Sequence, residues 1–321
     1  MKKNILAAFG IIFALASCTK EYEAISTKDY YQEKTKTMIA YSDFMSSVDS
    51  INAQFSEGAT STRGLLGVFV GRFADVIGGW VGSKTGTAIG AGLGSITGNP
   101  SITIFGGFAG NKYGKSVGAT LFSGAVGIFL NETKVDNPNN NYVVVSSGFQ
   151  NMLELDSLGV HHNRAMVKLA SKPNYYTKDW GIEYSSLYED CVRFMVCDTI
   201  ARDSLLADSL SKQTVISFLE QSIPSFIQYN NGEISIDSLL SNELELMSVC
   251  NIAELDSIQQ DIYTTFTKNV METVQNFNPL EMDTYAQSLS ESIRKSRLPK
   301  EYKIDLLRTA NIILNSTLCW Q

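Results

Sequence analysis

Residues Gly78–Leu93 read GGWVGSKTGTAIGAGL, and residues Gly106–Leu121 read GGFAGNKYGKSVGATL. The copies lie 28 residues apart and agree at 8 of 16 positions, so the second repeats the first. Glycine returns at every fourth residue: Gly78, Gly82, Gly86, Gly90, Gly94 and Gly98, then Gly106, Gly110, Gly114 and Gly118. Inside a helix each glycine costs about 1 kcal/mol against alanine. Ten on one spacing require a compensating contact, and a second backbone approaching closer than a Cβ permits supplies it. A four-residue row drifts about 40° per step round the helix and follows an i±4 ridge, which favours a right-handed crossing near −40°. Asn99-Pro100-Ser101 between the copies is a turn signal. The simplest partner for each copy is therefore the other, antiparallel.

Working outward, Lys84 and Lys112 occupy matching places opposite the glycines, on the face that also carries Trp80 and Phe108. Each copy is long enough to cross a bilayer at about 1.5 Å per residue. Lysines so far inside would have to snorkel or face protein. A lipid-inserted hairpin and a hairpin packed into a soluble domain both remain open. Leu65–Leu130 resembles the glycine-zipper hairpins of outer-membrane lipoproteins and of self-associating or pore-forming bacterial peptides. That resemblance implies close helix packing, membrane association or self-association. A nucleotide site is excluded: no βαβ unit surrounds Gly90-Ala-Gly-Leu-Gly, and Ala109 stands where a phosphate loop ending in Gly114-Lys115-Ser116 needs glycine.

At the start of the chain, Lys2 and Lys3 precede the apolar run Ile5–Ala14, which is short for a spanning helix. Leu15-Ala16-Ser17-Cys18 follows and resembles the lipobox of bacterial lipoproteins. The resemblance implies cleavage before Cys18 and acylation there, palmitate included. Each buried CH₂ of such a chain contributes about 0.8 kcal/mol. Thr19 is not the aspartate of inner-membrane retention, and Lys20-Glu21-Tyr22-Glu23 partly matches a Bacteroidota surface-export signal, with Tyr22 interrupting it. The expected location is the outer membrane, lipid-anchored, with exposure at the cell surface.

The chain has 321 residues, 44% hydrophobic and 18% charged, which excludes both disorder and a polytopic membrane protein. Eighteen of 24 glycines fall between Gly64 and Gly127, so one segment departs from an otherwise ordinary composition. That segment carries Arg72, Lys84, Lys112 and Lys115 against Asp75, within a chain of net charge −7. An acidic remainder argues against nucleic-acid binding. The expected architecture is mainly α: a signal peptide over 1–17, a tether and helix over 18–63, the glycine-zipper antiparallel hairpin over 64–131, a linker over 132–141 and an α-helical multi-helix domain over 142–321.

Within that frame Tyr30–Phe55 has helical spacing, Tyr142–Val145 reads as a short strand or extended segment, and six or so helices are expected after Asp156. Asp-Ser-Leu or Asp-Ser-Ile at Asp49, Asp156, Asp203, Asp208, Asp237 and Asp256 is a helix-start signature. Asp203 and Asp208 are too close for both to be caps. Pro173, Pro224, Pro279 and Pro299 punctuate the segment. Leu280–Ile293 and Tyr302–Leu318 are amphipathic. Once Cys18 is lipidated, Cys191, Cys197, Cys250 and Cys319 remain, and their pairing is open. A 191–197 bridge needs a loop, because six helical residues exceed disulfide reach.

His161 and His162 diverge by about 100° on a helix and cannot share a metal. They read as an exposed or core-edge pair. Glu189-Asp190 and Glu243 with Glu245 read as solvated helix faces. No catalytic, cofactor-binding or metal-ligating set emerges. Asp156-Ser-Leu-Gly-Val-His-His-Asn163, with Ala310, Asn315-Ser316 and Cys319-Trp320, resembles uncharacterised Bacteroidota proteins that share a D-x-x-G-x-x-H-N block and an aromatic-ending helix. It implies that His162-Asn163 braces a helix junction. The reading is a non-enzymatic outer-membrane lipoprotein whose membrane contact runs through its N-terminal lipid and whose hairpin packs or self-associates. Its rivals are a lipid-tethered antibacterial or pore-forming factor and, third, an enzyme in the helical domain.

Overall fold

The computed structural model describes residues 27–56, 74, 117–122, 124–125, 158–170, 175, 182–196, 199–250, 257–274 and 281–319. These form a mainly α fold. Among the described residues the named helices are α1 (Thr27–Ser56), α2 (Leu158–Ala170), α3 (Tyr184–Met195), α4 (Thr199–Ala207), α5 (Ser209–Asn230), α6 (Ile236–Val249), α7 (Ser257–Val274), α8 (Met282–Lys295) and α9 (Lys300–Cys319). Residues 117–122 and 124–125 are helical as well. The expected short strand or extended segment at Tyr142–Val145, most of the glycine hairpin, the signal segment and the linker lie outside the described residues.

Helix α8 shows how sequence produces packing here. Met282, Tyr285, Ala286, Leu289, Ser290 and Ile293 recur at three- and four-residue intervals and are all buried. Asp283 lies in the first turn and Arg294 and Lys295 in the last, the charge order that a helix dipole favours. Its buried face meets α1 and α9. Tyr285 donates its hydroxyl to Asn52 Oδ1 of α1 at 2.8 Å, and its ring meets Phe55 edge-on, centroids 5.3 Å apart. Helix α1 also packs on α7, where Phe44 and Phe266 lie 5.8 Å apart.

Helix α9 is the hub, packed against α2, α7 and α8. Every residue over 306–317 is buried. The Pro299 carbonyl starts the helix by accepting from Lys303 N, and Glu301 lies in its first turn. On the other side α3, α4 and α6 gather round α5, and α3 also meets α2. The described part of the second glycine segment enters this side. Phe122 meets Phe218 of α5 with ring centroids 5.5 Å apart.

Several local expectations are corrected. Eight helices follow Asp156 among the described residues, against the six or so expected. Pro224 does not end a helix: α5 runs through it. The missing N–H deprives the Glu220 carbonyl of its donor, but both residues are exposed, so solvent can take the donor's place. Asp208 does stand at a helix start, its carbonyl accepting from Lys212 N at 3.1 Å. Asp203 and Asp49 are interior helical residues. Ser235, two residues before Asp237, caps α6 by accepting from Ser238 N at 3.1 Å. Asp237 sits in the first turn beyond it, where its charge still favours the dipole.

Candidate functional site

The residues singled out in the sequence divide sharply by position. Cys18, Gly78, Gly82, Gly86, Gly90, Gly94, Gly98, Gly106, Gly110 and Gly114 lie outside the described residues. Gly118 is described: it is helical and buried, in a run where Val117, Ala119, Thr120, Leu121 and Phe122 are buried too. Just beyond, a Cβ on Gly124 would meet Leu169 Cδ1 of α2 at 3.2 Å and Leu187 Cδ1 of α3 at 3.5 Å. The end of the glycine-rich segment is thus seated on α2, α3 and α5.

A second constellation joins the two blocks of the D-x-x-G-x-x-H-N pattern and the terminal helix. His162 is fully buried, not at the core edge, because α2 is covered by both α3 and α9. Its Nδ1 lies 3.0 Å from Asn163 Oδ1, an amide oxygen, so that nitrogen carries the proton. Asn163 Nδ2 donates to the Asn315 carbonyl of α9 at 2.9 Å. Asn315 Nδ2 in turn donates to the Asn311 carbonyl at 3.0 Å. The chain of amides crosses the α2–α9 junction and braces it. Asn315 Oδ1 is buried without a hydrogen-bond partner.

The carboxylates behave differently from one another. Glu189 pairs with Lys212 at 2.8 Å, and Asp190 accepts from the Tyr175 hydroxyl at 2.6 Å. These neighbours serve separate contacts and form no acid–base pair. Glu243 is not on a solvated face. It is fully buried between α6 and α5, and Ser222 donates to its Oε2 at 2.5 Å. Its Oε1 has no hydrogen-bond partner. Burial pushes this carboxyl up to about 7, against the downward pull of the Ser222 and Ser225 hydroxyls. Leu239, Leu240 and Met247 flank Glu243 at three- and four-residue spacing and are buried, the one sequence signal that could have placed it inside.

Cys191 and Cys250 are free thiols, which closes the pairing question for both. Burial, with Asp190 adding to it, holds the Cys191 thiol well above its ordinary range.

An open cleft of about 460 Å³ lies between α6 and α7, lined by Asp237, Ser241, Gln260, Thr264, Thr265 and Lys268 over a floor that includes Leu240 and Leu244. Several of its polar groups are committed to the protein. Lys268 Nζ contacts Asp237 at 2.8 Å, Thr264 donates to the Gln260 carbonyl, and Asn269 donates to Asp49 of α1. The arrangement ties α1, α6 and α7 together rather than aiming a nucleophile and a base at one point. Among the described residues no group of three His, Cys, Asp or Glu side chains could hold a metal ion. Nor is any helix there long and apolar enough to cross a membrane. No family model, curated protein or solved structure matches this chain.

Proposed function

We propose that the protein is a non-enzymatic lipoprotein held at the outer membrane by acyl chains on Cys18, and that its glycine repeat is a device for close helix packing. The observation that carries the second half is the seating of the segment's end: Gly118 and Gly124 are buried, and the Phe122 ring packs, tilted, against Phe218 of the helical body. A stretch dissolved in lipid would present those faces to acyl chains instead. The first half rests on Leu15-Ala16-Ser17-Cys18. With attachment supplied by lipid, the repeat is free to act on protein, either within the chain or between copies.

The test separates the two halves. Palmitate labelling should mark the wild-type chain and not Cys18→Ala, and Cys18→Ala should be released from membranes by carbonate. A variant that stays in the carbonate-resistant pellet would show that the hairpin inserts, which removes the packing reading. An unlabelled wild-type chain removes the anchor.

A further inference from the structure

The strongest unexplained surface lies on the N-terminal half of α1. Among the described residues three large apolar side chains are exposed: Met38 at 54%, Ile39 at 56% and Val249 at 67%. Single exposed apolar residues are ordinary; two of these three are sequence neighbours. The core stripe of α1 runs through Ala40, Phe44, Met45 and Val48. Val48 is nine residues beyond Ile39, half a revolution round the helix, so Ile39 faces away from the body of the molecule. Lys36 lies about 60° round from Ile39 on this outward face, and Lys34 about 40° beyond Met38, so the two border the arc that Met38 and Ile39 span. Over 27–39 three lysines stand against Asp29 and Glu33, a local positive excess in a chain of net charge −7.

The place of this face on the chain points to its occupant. Thr27 is nine residues from Cys18. Nine extended residues span at most about 32 Å, and Met38 lies only about 16 Å further along the helix. A lipid anchor at Cys18 therefore keeps α1 beside the bilayer surface at high local concentration. Apolar side chains flanked by lysines suit the boundary between headgroups and acyl chains, with the lysine stems snorkelling toward phosphate.

We infer that Met38 and Ile39, with Lys34 and Lys36, form a contact surface for the anionic lipid headgroup region of the membrane that carries the anchor. The inference rests on the lipoprotein reading above. Docked this way, α1 lies along the membrane instead of swinging on its tether, and the orientation of α7 and α8 behind it follows.

The test uses the full lipidated chain reconstituted in vesicles of mixed zwitterionic and anionic phospholipid. Ile39→Trp is the reporter, and the chain without that substitution gives the baseline for the native tryptophans. Acyl chains brominated near the headgroup should quench the introduced indole. Lys34→Glu with Lys36→Glu should weaken that quenching, since each lysine at an anionic surface is worth a factor of about five in partitioning. Met38→Trp serves as a second reporter should Ile39→Trp disturb the helix. Palmitate on Cys18 with an unquenched indole at both positions overturns the contact and leaves the anchor intact. Absence of palmitate on the wild-type chain overturns both. An indole shielded instead by cross-linkable contact with a second copy also overturns it.

Discussion

Two helical stretches in this molecule are buried at every described position, and they reach that state by opposite chemistry. Residues 117–122 and 124–125 do it with small and apolar side chains, Thr120 being the one polar member. Residues 306–317 of α9 bury Arg308, Thr309, Asn311, Asn315, Ser316 and Thr317 alongside their leucines and isoleucines. In α9 two of these polar groups are turned back on helical carbonyls. Thr317 donates to the Ile313 carbonyl at 2.8 Å and Asn315 to that of Asn311 at 3.0 Å. The first stretch is held by shape and the second by shape plus amide bonding. A substitution should therefore injure each in a different way.

The largest effect is expected where the first stretch meets the body. Phe122→Ala removes a fully buried ring from its contact with Phe218. It should cost about 3–5 kcal/mol, read as a lowered urea midpoint at unchanged slope. Combined with Phe218→Ala, the loss should fall short of the sum, because the rings share one contact. Strict additivity would mean that the seating of this segment on α5 is not a real coupling.

Glu243 sharpens the contrast, being buried and polar like the α9 amides but able to ionise. Its folded value near 7 stands above the ordinary 4.5. Between those values the folded chain binds more protons than the unfolded one. Stability from this group is full below about pH 4.5 and falls as pH rises to 7, by about 3 kcal/mol in all. Above pH 7 its contribution is flat. Glu243→Gln, which carries no charge, should flatten that slope and be the more stable protein at pH 8, as thermal melts across the range would show. A slope unchanged by the substitution places the responsible proton elsewhere.

How far the sequence foresaw these features follows from their physics. Helix α8 was legible because its apolar positions and end charges agree, and α1 because its apolar spacing is regular. Pro224 misled because a proline's cost depends on whether the orphaned carbonyl reaches solvent, which only the burial of Glu220 and Pro224 decides. The Asp-Ser-Leu motif marked α6 but put the cap at Asp237 instead of Ser235, two residues apart and both competent caps. Glu243 was hidden by an acidic neighbour, Glu245, that truly is exposed. Asn163 and Asn315 both stand in the sequence motifs, but the hydrogen bond between them spans 152 residues, a separation no local pattern reports.

That bond gives the next test. Asn163→Ala removes the donor that joins α2 to α9 and leaves His162 Nδ1 without its amide acceptor. The expected loss is about 1–3 kcal/mol, the cost of unpaired buried polar groups. Asn163→Ala with Asn315→Ala should cost about the two singles added, since Asn163 donates to the Asn315 main-chain carbonyl, which alanine keeps. If the first single is neutral in chemical denaturation, the amide chain is a passenger of the packing.

The smallest effect is expected at Gly124, and it separates two meanings of a glycine in a packed helix. A backbone pressed against a backbone cannot yield, and there any Cβ is costly. At Gly124 the nearest atoms are the ends of leucine side chains, Leu169 Cδ1 at 3.2 Å and Leu187 Cδ1 at 3.5 Å. Those can retreat by a few tenths of an ångström. Alanine also gains about 1 kcal/mol of helix propensity. Gly124→Ala should therefore stay within about 1 kcal/mol of wild type, whereas Gly124→Val, with two further methyls, should lose about 1–3 kcal/mol by overpacking. Thermal melts of the pair decide the matter. Equal, large losses in both would mean that α2 and α3 are as unyielding as backbone, and that this end of the segment already obeys the rule its upstream tetrads suggest.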